Sequence, residues 1–569
     1  MYKNIWSAKQ RKEMIKQAET STFDLIIIGG GITGAGIARE AALRGLTFCL
    51  LEKHDFAFGT SSRSSKLFHG GLRYLSSGEF GLVRESTTER NWLMEHFPNL
   101  VRPLGFMFCS YEKGKDSPFK IFFAVKLYDI LSNYFSRFKN YRRARIFKAD
   151  FIEEFEPNVA LETPELGKLK MAGFYYDTNC DDARVTVEII KEAVARSGNN
   201  STALNYCEVK DFNNEGSQSP AVTVRDTEGE RIFTITGKVI VSAAGIFTDE
   251  LLKEGRYPEE KIYPTKGVHI VVPNERLGNR NAFGIRSLDD GRFFFILRRG
   301  AVSVIGTTDT AYYPESKNLE EPWCKKEDCD YLLSTVNRLF PHARLTYDDI
   351  IGTWAGIRPL IKSEDAKNES DVSRTHEIFE TPDGIVAIAG GKSTTHRRMA
   401  EDLLFHLYET GKLPEPEEKS HRKKNFSMQP FTVGITRSDF DLIVTDEHLD
   451  RHSWPGQLEY LHQQFGIQGI EILRNIQKKP KQGAPLLEGY PHCEAEILYI
   501  LEHEAAPHLT DILCRRTEAQ WNIWYYLQKE LAEKVANIMG SYYKWPPVRK
   551  RKEIKSYLEY VKNTVAFLK

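Results

Sequence analysis

The sequence predicts an α/β protein with an all-helical tail (α/β + α), and three observations predict it. From Phe23 to Glu52 the chain reads strand, glycine turn, helix, strand, acid, the pattern of a dinucleotide-binding unit. Through residues 262–310, in KGVHIVV, RFFFILRR and VSVIGTTDT, apolar residues recur with period two, as an antiparallel sheet requires. Beyond Lys412 a linker, KLPEPEEKSHRKK, leads into stretches of helical period such as EAEILYILEHEAAPHLTDILCRRTEAQW.

At 569 residues the chain is too long for one core, and length suggests about 3–4 domains. Lysine plus arginine and aspartate plus glutamate number 78 each. No global field therefore selects a partner, and any charge argument is local. The cysteines are scattered; only Cys324 and Cys329 lie close, with no histidine pair at zinc spacing. Reduced thiols and no metal are expected.

Residues 1–21 read as a short amphipathic arm without the apolar segment of a secretory signal. No apolar stretch approaches the ~20 residues of a membrane-spanning helix. In the nucleotide unit, Leu25 to Ile28 form the first strand and Phe48 to Leu51 the second. Gly29 permits the tight turn, Gly31 lets the backbone approach a pyrophosphate, and Gly34 lets the helix lie close on the strand. N–H groups at the helix start face the phosphates, and Glu52 stands where a carboxylate accepts from the adenosine ribose. Ala35, Ala38, Ala41 and Ala42 keep the helix slim. The hydroxyl-rich loop TSSRSSK then leads into LFHGGLRYL. Its Thr60, Ser61, Ser65 and Lys66 suit the ribityl chain and phosphates of FAD.

GGGITGAGIAREAALRG followed by TSSRSSKLFHGGLRYL resembles the FAD-dependent (aerobic, respiratory) glycerol-3-phosphate dehydrogenase family, similar in fold to glycine and D-amino-acid oxidases. The resemblance extends over nearly the whole chain. It returns at IGTWAGIRPL, at Ser373-Arg374-Thr-His and at GIVAIAGGKSTTHRR. It implies a discontinuous Rossmann-like FAD-binding domain (residues 22–92, 181–260 and 351–410). A mixed-sheet substrate or cap domain (93–180 and 261–350) is inserted in it, and a helical C-terminal domain (411–569) follows.

The remaining elements follow in order. A helix is expected from Glu79 to Phe97, ended by Pro98. Between Lys113 and Lys148 ten lysines and arginines stand against two aspartates, interleaved with nine phenylalanines and tyrosines. Such a stretch either sits in a lipid headgroup layer or is an outer helix with its aromatics packed inward. No nucleic-acid-binding module accompanies it, so nucleic acid is not an expected partner. Residues 170–180 read as a strand and turn, then a helix capped near Asp181 and Asp182. Lys238 to Ser242 form a strand ending at Ala-Ala-Gly245, a small-residue turn that returns the sheet to FAD in this superfamily. Gly391 and Thr394 flank a second helix start aimed at the flavin.

Oxidising a secondary alcohol with a flavin requires a hydride acceptor, a proton acceptor and stabilisation of the arriving negative charge. Holding a phosphate dianion requires guanidinium or ammonium groups. By resemblance, Arg73 and Tyr74 contact substrate, and Arg358, Arg374 and Lys392 complete a cationic pocket. Arg358 and Lys392 also serve the chemistry. His69 is the candidate proton acceptor, or else packs on the flavin ring; His269 and His396 are weaker candidates. Where family members tend to read GGKLTTYR, this chain has Ser393 and His396. The activity implied is oxidation of sn-glycerol 3-phosphate to dihydroxyacetone phosphate by hydride transfer to FAD, with a membrane quinone as acceptor. The protein would be cytoplasmic and held peripherally on the inner, anionic membrane face. Alternatives are an oxidase releasing peroxide and a flavin amine or amino-acid oxidase. The oligomeric state is open, a homodimer included.

Overall fold

The computed structural model describes residues 6–198, 200–213, 219–254, 259–313, 319–362, 375–450, 454 and 456–568. Its first sheet is built on the apolar strand Thr22–Ile28. This strand runs parallel to Phe48–Leu51 on one side and to Arg231–Ser242 on the other. Thr202–Leu204 extends the sheet beyond Phe48–Leu51, and Val386–Gly390 extends it beyond Arg231–Ser242, both in parallel. His376–Glu380 closes one edge in antiparallel pairing. The chain leaves Thr22–Ile28 between two parallel neighbours, so the glycine turn opens at the crevice where an α/β sheet takes its ligand. Leu25, Ile26 and Ile27 are fully buried, as a strand covered on both faces must be. The helix Ile32–Leu43 packs against Asp182–Arg196 and His396–Glu409. Asp181 caps the second of these, accepting from the Arg184 N–H at 3.0 Å.

Among the described residues the second sheet has eleven strands. Ile262–Pro273 pairs antiparallel with Val302–Gly306, which pairs antiparallel with Phe293–Arg299. One segment differs from expectation. Gly352–Ile361, grouped by the resemblance with the FAD domain, runs antiparallel along residues 262–271 and so belongs to this sheet. Its register is set by a partner some ninety residues earlier, which no local pattern reports. Leu67–Phe68 likewise pairs with Gly167–Asn179 of the second sheet. The loop 60–66 thus leaves one sheet and arrives at the other.

The helix expected near Glu79 spans Phe80–His96. The basic aromatic stretch opens with the helix Pro118–Asn133, capped by Ser117 with Pro118 at its first position. Ile121, Val125 and Tyr128 face inward. Phe119 is 77% exposed and Phe123 59%, and Phe122, Tyr134 and Phe135 are exposed too. Most aromatics of this stretch that border solvent therefore do not pack inward. Among the described residues no helix is long and apolar enough to cross a membrane.

The tail forms helices from Arg437–Asp446 to Pro547–Thr564 around its own core, with Ile472, Ile500, Leu531 and Val535 at its centre. It is tied to the first sheet by buried ion pairs. Arg184 meets Glu504 at 2.5 Å, and Asp55 takes Arg515 at 2.5 Å and Arg516 at 3.0 Å. The N-terminal arm is docked. Met14, Ile15 and Ala18 are buried, Trp6 donates to Ala203 O at 3.0 Å, and Ser7 donates to Leu501 O at 3.1 Å.

Candidate active site

A cleft of about 240 Å3 opens at the glycine turn, lined by Gly29, Gly31, Glu52, Thr60, Ser61, Gly245 and Gly391. Two glycines are sterically required. A Cβ on Gly34 would stand 1.9 Å from Gly29 O, and one on Gly29, at φ +111°, 2.5 Å from Ala243 O. Glu52 accepts from the Gly30 N–H at 2.7 Å and the His54 N–H at 2.9 Å, which fixes its carboxylate at the cleft wall. Ser61 Oγ accepts from the Ile32 N–H at 2.8 Å and so holds the start of the glycine-turn helix. Thr60 donates to Ile357 O at 2.6 Å, tying the loop to the second sheet. Gly245 and Gly391 both have positive φ, and a Cβ on Gly391 would lie 2.5 Å from Met399 Sδ. Glycine backbone, hydroxyls and one acid at a strand-to-helix crevice are the donor set that FAD needs, and these residues fit it.

A second cavity, about 180 Å3, shares Thr60, Ser64, Pro359, Gly391, Lys392 and Ser393 with the cleft. Arg73, Tyr74, Arg358, Lys392, His69, Ser65 and Thr394 all line it. Residues from three distant parts of the chain therefore meet. Arg358 is rigidly held: Nη1 donates to Asp309 at 2.9 Å, and Nη2 to Thr307 Oγ1 at 2.8 Å and Thr308 O at 3.2 Å. Burial pulls its pKa down, opposed by Asp309, and the charge of Arg73 pulls it down further. Lys392 Nζ donates to Ser86 Oγ at 3.0 Å and His69 O at 3.4 Å, and lies 4.7 Å from the Tyr74 ring centre. Arg73 lies 5.1 Å from the same ring, and the neighbouring Tyr74 oxygen pushes its pKa up. Gly71, at φ +77°, makes room: a Cβ there would meet Tyr74 Cδ2 at 2.2 Å.

His69 is half-buried, its backbone N–H donating to Thr394 Oγ1 at 3.2 Å. His269 is fully buried on the cavity wall. Nε2 lies 2.9 Å from Ser65 Oγ, and the ring stacks on Trp354 at 4.7 Å. Burial, then Arg358 and Lys66, push its pKa well below the usual imidazole range, so it is neutral. His396 lines none of these cavities. Buried, with Nδ1 2.8 Å from Ser393 O and its pKa pushed by burial to about 4, it packs the helix start against Gly36.

Lys66 departs from expectation. Its ammonium lines neither cavity: it donates to Asp182 at 2.6 Å and Ser62 O at 3.2 Å and lies 4.0 Å from Glu518, held by two buried carboxylates. Arg374 lies outside the described residues. Asp309 and Thr307, which hold Arg358, are not among the residues expected from sequence; their signal is the acid and hydroxyls of GTTD directly after a strand. Among the described residues no cluster of metal-ligating side chains occurs, and all eight cysteines are free thiols.

A third cavity of about 520 Å3 meets the second at His69, Arg73, Phe293 and Phe295. Phe80, Phe106, Phe108, Phe119 and Phe123 make its walls largely aromatic.

Comparison with known proteins agrees with this architecture. Residues 24–394 match the family described as FAD dependent oxidoreductase, and residues 443–550 match the C-terminal domain of alpha-glycerophosphate oxidase. A glycerol-3-phosphate dehydrogenase 2 of Mycobacterium tuberculosis is 34% identical, across 98% of this chain and 91% of that one. An aerobic glycerol-3-phosphate dehydrogenase of Bacillus subtilis is 32% identical over 91% of each. Among solved structures, the glycerol-3-phosphate dehydrogenase of Bacillus halodurans complexed with FAD superimposes with a TM-score of 0.77 at 29% identity, covering 99% of both chains. The chain therefore belongs to the FAD-dependent oxidoreductases, and within them to the glycerol-3-phosphate dehydrogenase family.

Proposed function

We propose that the chain oxidises sn-glycerol 3-phosphate to dihydroxyacetone phosphate, with a membrane quinone as the final electron acceptor. One observation carries the substrate assignment: Arg73, Arg358 and Lys392 border one cavity contiguous with the FAD cleft. The mutual repulsion of Arg73 and Arg358 is relieved when a phosphate dianion enters. Gly29, Gly31, Gly34, Glu52, Ser61, Gly245 and Gly391 would hold FAD, which supplies the hydride acceptor when bound. Arg358, fixed by Asp309 and Thr307, orients the phosphate, and Arg73 and Lys392 flank it. The proton of the reacting hydroxyl goes to His69, whose half-buried ring borders the cavity; the fully buried His269, already engaged with Ser65, supports this wall.

The acceptor assignment rests on the aromatic third cavity at the back of the site. Its rim helix presents Phe119 and Phe123 outward, with exposed Arg142, Arg143 and Arg145 following. Exposed aromatics beside cations suit the inner face of the cell membrane and its anionic lipids. A second reading, in which oxygen is the acceptor and peroxide the product, is favoured by the match of the tail to an alpha-glycerophosphate oxidase domain. An amine or amino-acid oxidase leaves the converging cations without a task.

The test is spectroscopic. Anaerobic glycerol 3-phosphate bleaches the yellow protein, while glycine and sarcosine leave it unchanged; failure to bleach refutes the substrate assignment. Reoxidation of the bleached protein faster by a soluble quinone than by air identifies the dehydrogenase, and the reverse order the oxidase.

A further inference from the structure

The loop 60–66 forms the wall shared by the FAD cleft and the cationic cavity, so its placement sets both. Much of its support comes from buried carboxylates. Asp182 accepts from the Ser64 N–H at 3.1 Å, Ser64 Oγ at 2.6 Å and Lys66 Nζ at 2.6 Å. On the other side of Lys66 stands Glu518, 4.0 Å from Nζ, which also accepts from Arg299 at 3.0 Å. Arg299 in turn donates to Cys180 O at 2.8 Å and Lys66 O at 3.5 Å, pinning the end of the loop. Glu518 belongs to the helical tail. It sits at φ +55° before the one-turn helix Ala519–Asn522. Three residues on, Trp521 lies 5.3 Å from Trp354. Trp354 donates to Ser64 O at 3.0 Å and stacks on His269, whose Nε2 meets Ser65. One short stretch of the tail thus reaches the loop by charge at Lys66 and by stacked rings at Ser64 and Ser65.

We propose that Glu518 is a positioning residue for the reaction: as a carboxylate it draws Lys66 and Arg299 against the back of the loop and so sets Ser64, Ser65 and His269 in the site. The helical domain is then part of the catalytic apparatus. The choice of substrate in the test rests on the reading given above; the proposal itself concerns only the loop. The charged and titratable groups facing Glu518 are Lys66, Arg299, Asp181, Asp182, Arg102 and Tyr460. Burial pushes its carboxyl up to about 7, reinforced by Asp181 and Asp182 and opposed by Arg299 and Lys66. It therefore loses its charge as pH falls through about 7, and the grip on the loop loosens on the acid side.

The test follows anaerobic reduction of the FAD-loaded full chain by glycerol 3-phosphate, and the visible spectrum of its bound flavin, from acid to alkaline pH. In the parent, the reduction rate falls and the flavin band shifts as pH drops through about 7. Glu518→Gln keeps its FAD but is slower by about tenfold on the alkaline side, and its band shift disappears, while the acid limb owed to the proton acceptor stays in both proteins. Trp521→Phe, which keeps every charge of the cluster but shrinks the ring beside Lys66 and Arg299, raises KM for glycerol 3-phosphate and retains the band shift. A Glu518→Gln protein with the parent's alkaline rate and band shift overturns the proposal. If Glu518→Gln does not fold, an unaltered KM in Trp521→Phe overturns it. A parent that glycerol 3-phosphate does not reduce refutes the substrate reading instead; the flavin band then decides, and a parent band that ignores pH overturns the role of Glu518.

Discussion

Arg358 differs from an ordinary surface arginine in having no freedom left. Three acceptors on one strand-end, Asp309, Thr307 and Thr308, use its fork on one side and present the remainder to the cavity. A guanidinium already immobilised loses little entropy when it binds an anion. Replacing Arg358 by alanine should therefore raise KM and lower kcat together, costing about a hundredfold or more in kcat/KM, roughly 2.7 kcal/mol. Steady-state kinetics with a soluble dye as acceptor reads this, and unaltered constants refute the phosphate assignment. Asp309→Asn keeps the shape but weakens the hold, and should raise KM by roughly tenfold with a smaller change in kcat. The residue scale is also where the sequence was least explicit. Lys66 looks like a phosphate ligand in TSSRSSK, yet its ammonium is claimed by Asp182 and Glu518, which lie 116 and 452 positions further on. Gly29 and Gly34 were legible because their requirement is local: each is excluded from bearing a side chain by backbone within the same unit or its direct sheet neighbour.

At the scale of elements, the glycine-turn unit and the helix Phe80–His96 were legible because periodicity and breakers are short-range signals. The assignment of Gly352–Ile361 to a sheet was not, since a ten-residue apolar strand fits either sheet and only its partner decides. The helix Pro118–Asn133 carries information of another kind. Its buried stripe is ordinary, but its outer surface keeps Phe119, Phe122 and Phe123 in solvent, at a cost that a soluble helix has no reason to bear. Neutralising Arg142, Arg143 and Arg145 should weaken sedimentation with anionic liposomes and leave turnover of a soluble acceptor intact. Serine at Phe119 and Phe123 should do the same on neutral liposomes. Unchanged sedimentation in both cases refutes the membrane role.

The whole molecule is held together by charge as much as by its cores. Asp55 is completely buried between Arg515 and Arg516, and both arginines hold its carboxyl below the usual range against the effect of burial. Removing one partner of such a set strands the others, so Asp55→Asn should destabilise the protein by roughly 3–5 kcal/mol in urea unfolding. A second staple has a pH signature. His508 sits between Glu228 of the first sheet's hairpin and Glu553 of the last long helix, 2.9 Å from each. Burial works against its charge, but the two carboxylates prevail and push it up to about 10. A histidine raised in the folded state stabilises fully below its ordinary value near 6.5, and that contribution disappears as pH rises through about 10. Thermal melts should show the parent losing stability over that alkaline interval and His508→Asn lower at neutral pH but flat across it. Equal slopes in the two proteins would refute the staple. Neither staple could be seen in the sequence, where aspartate, glutamate and histidine at such separations are indistinguishable from surface residues.

The docking of the first helix has a consequence for biosynthesis. Ser7 donates a hydrogen bond to Leu501 O, and the Trp6 carbonyl accepts from the Ala505 N–H, so both contacts wait for the tail. A ribosome adding about 5–20 residues per second takes about 25–100 s to travel between those two positions. For that interval the docking arm of the nascent protein waits without its tail partners, a natural moment for a chaperone to attend it.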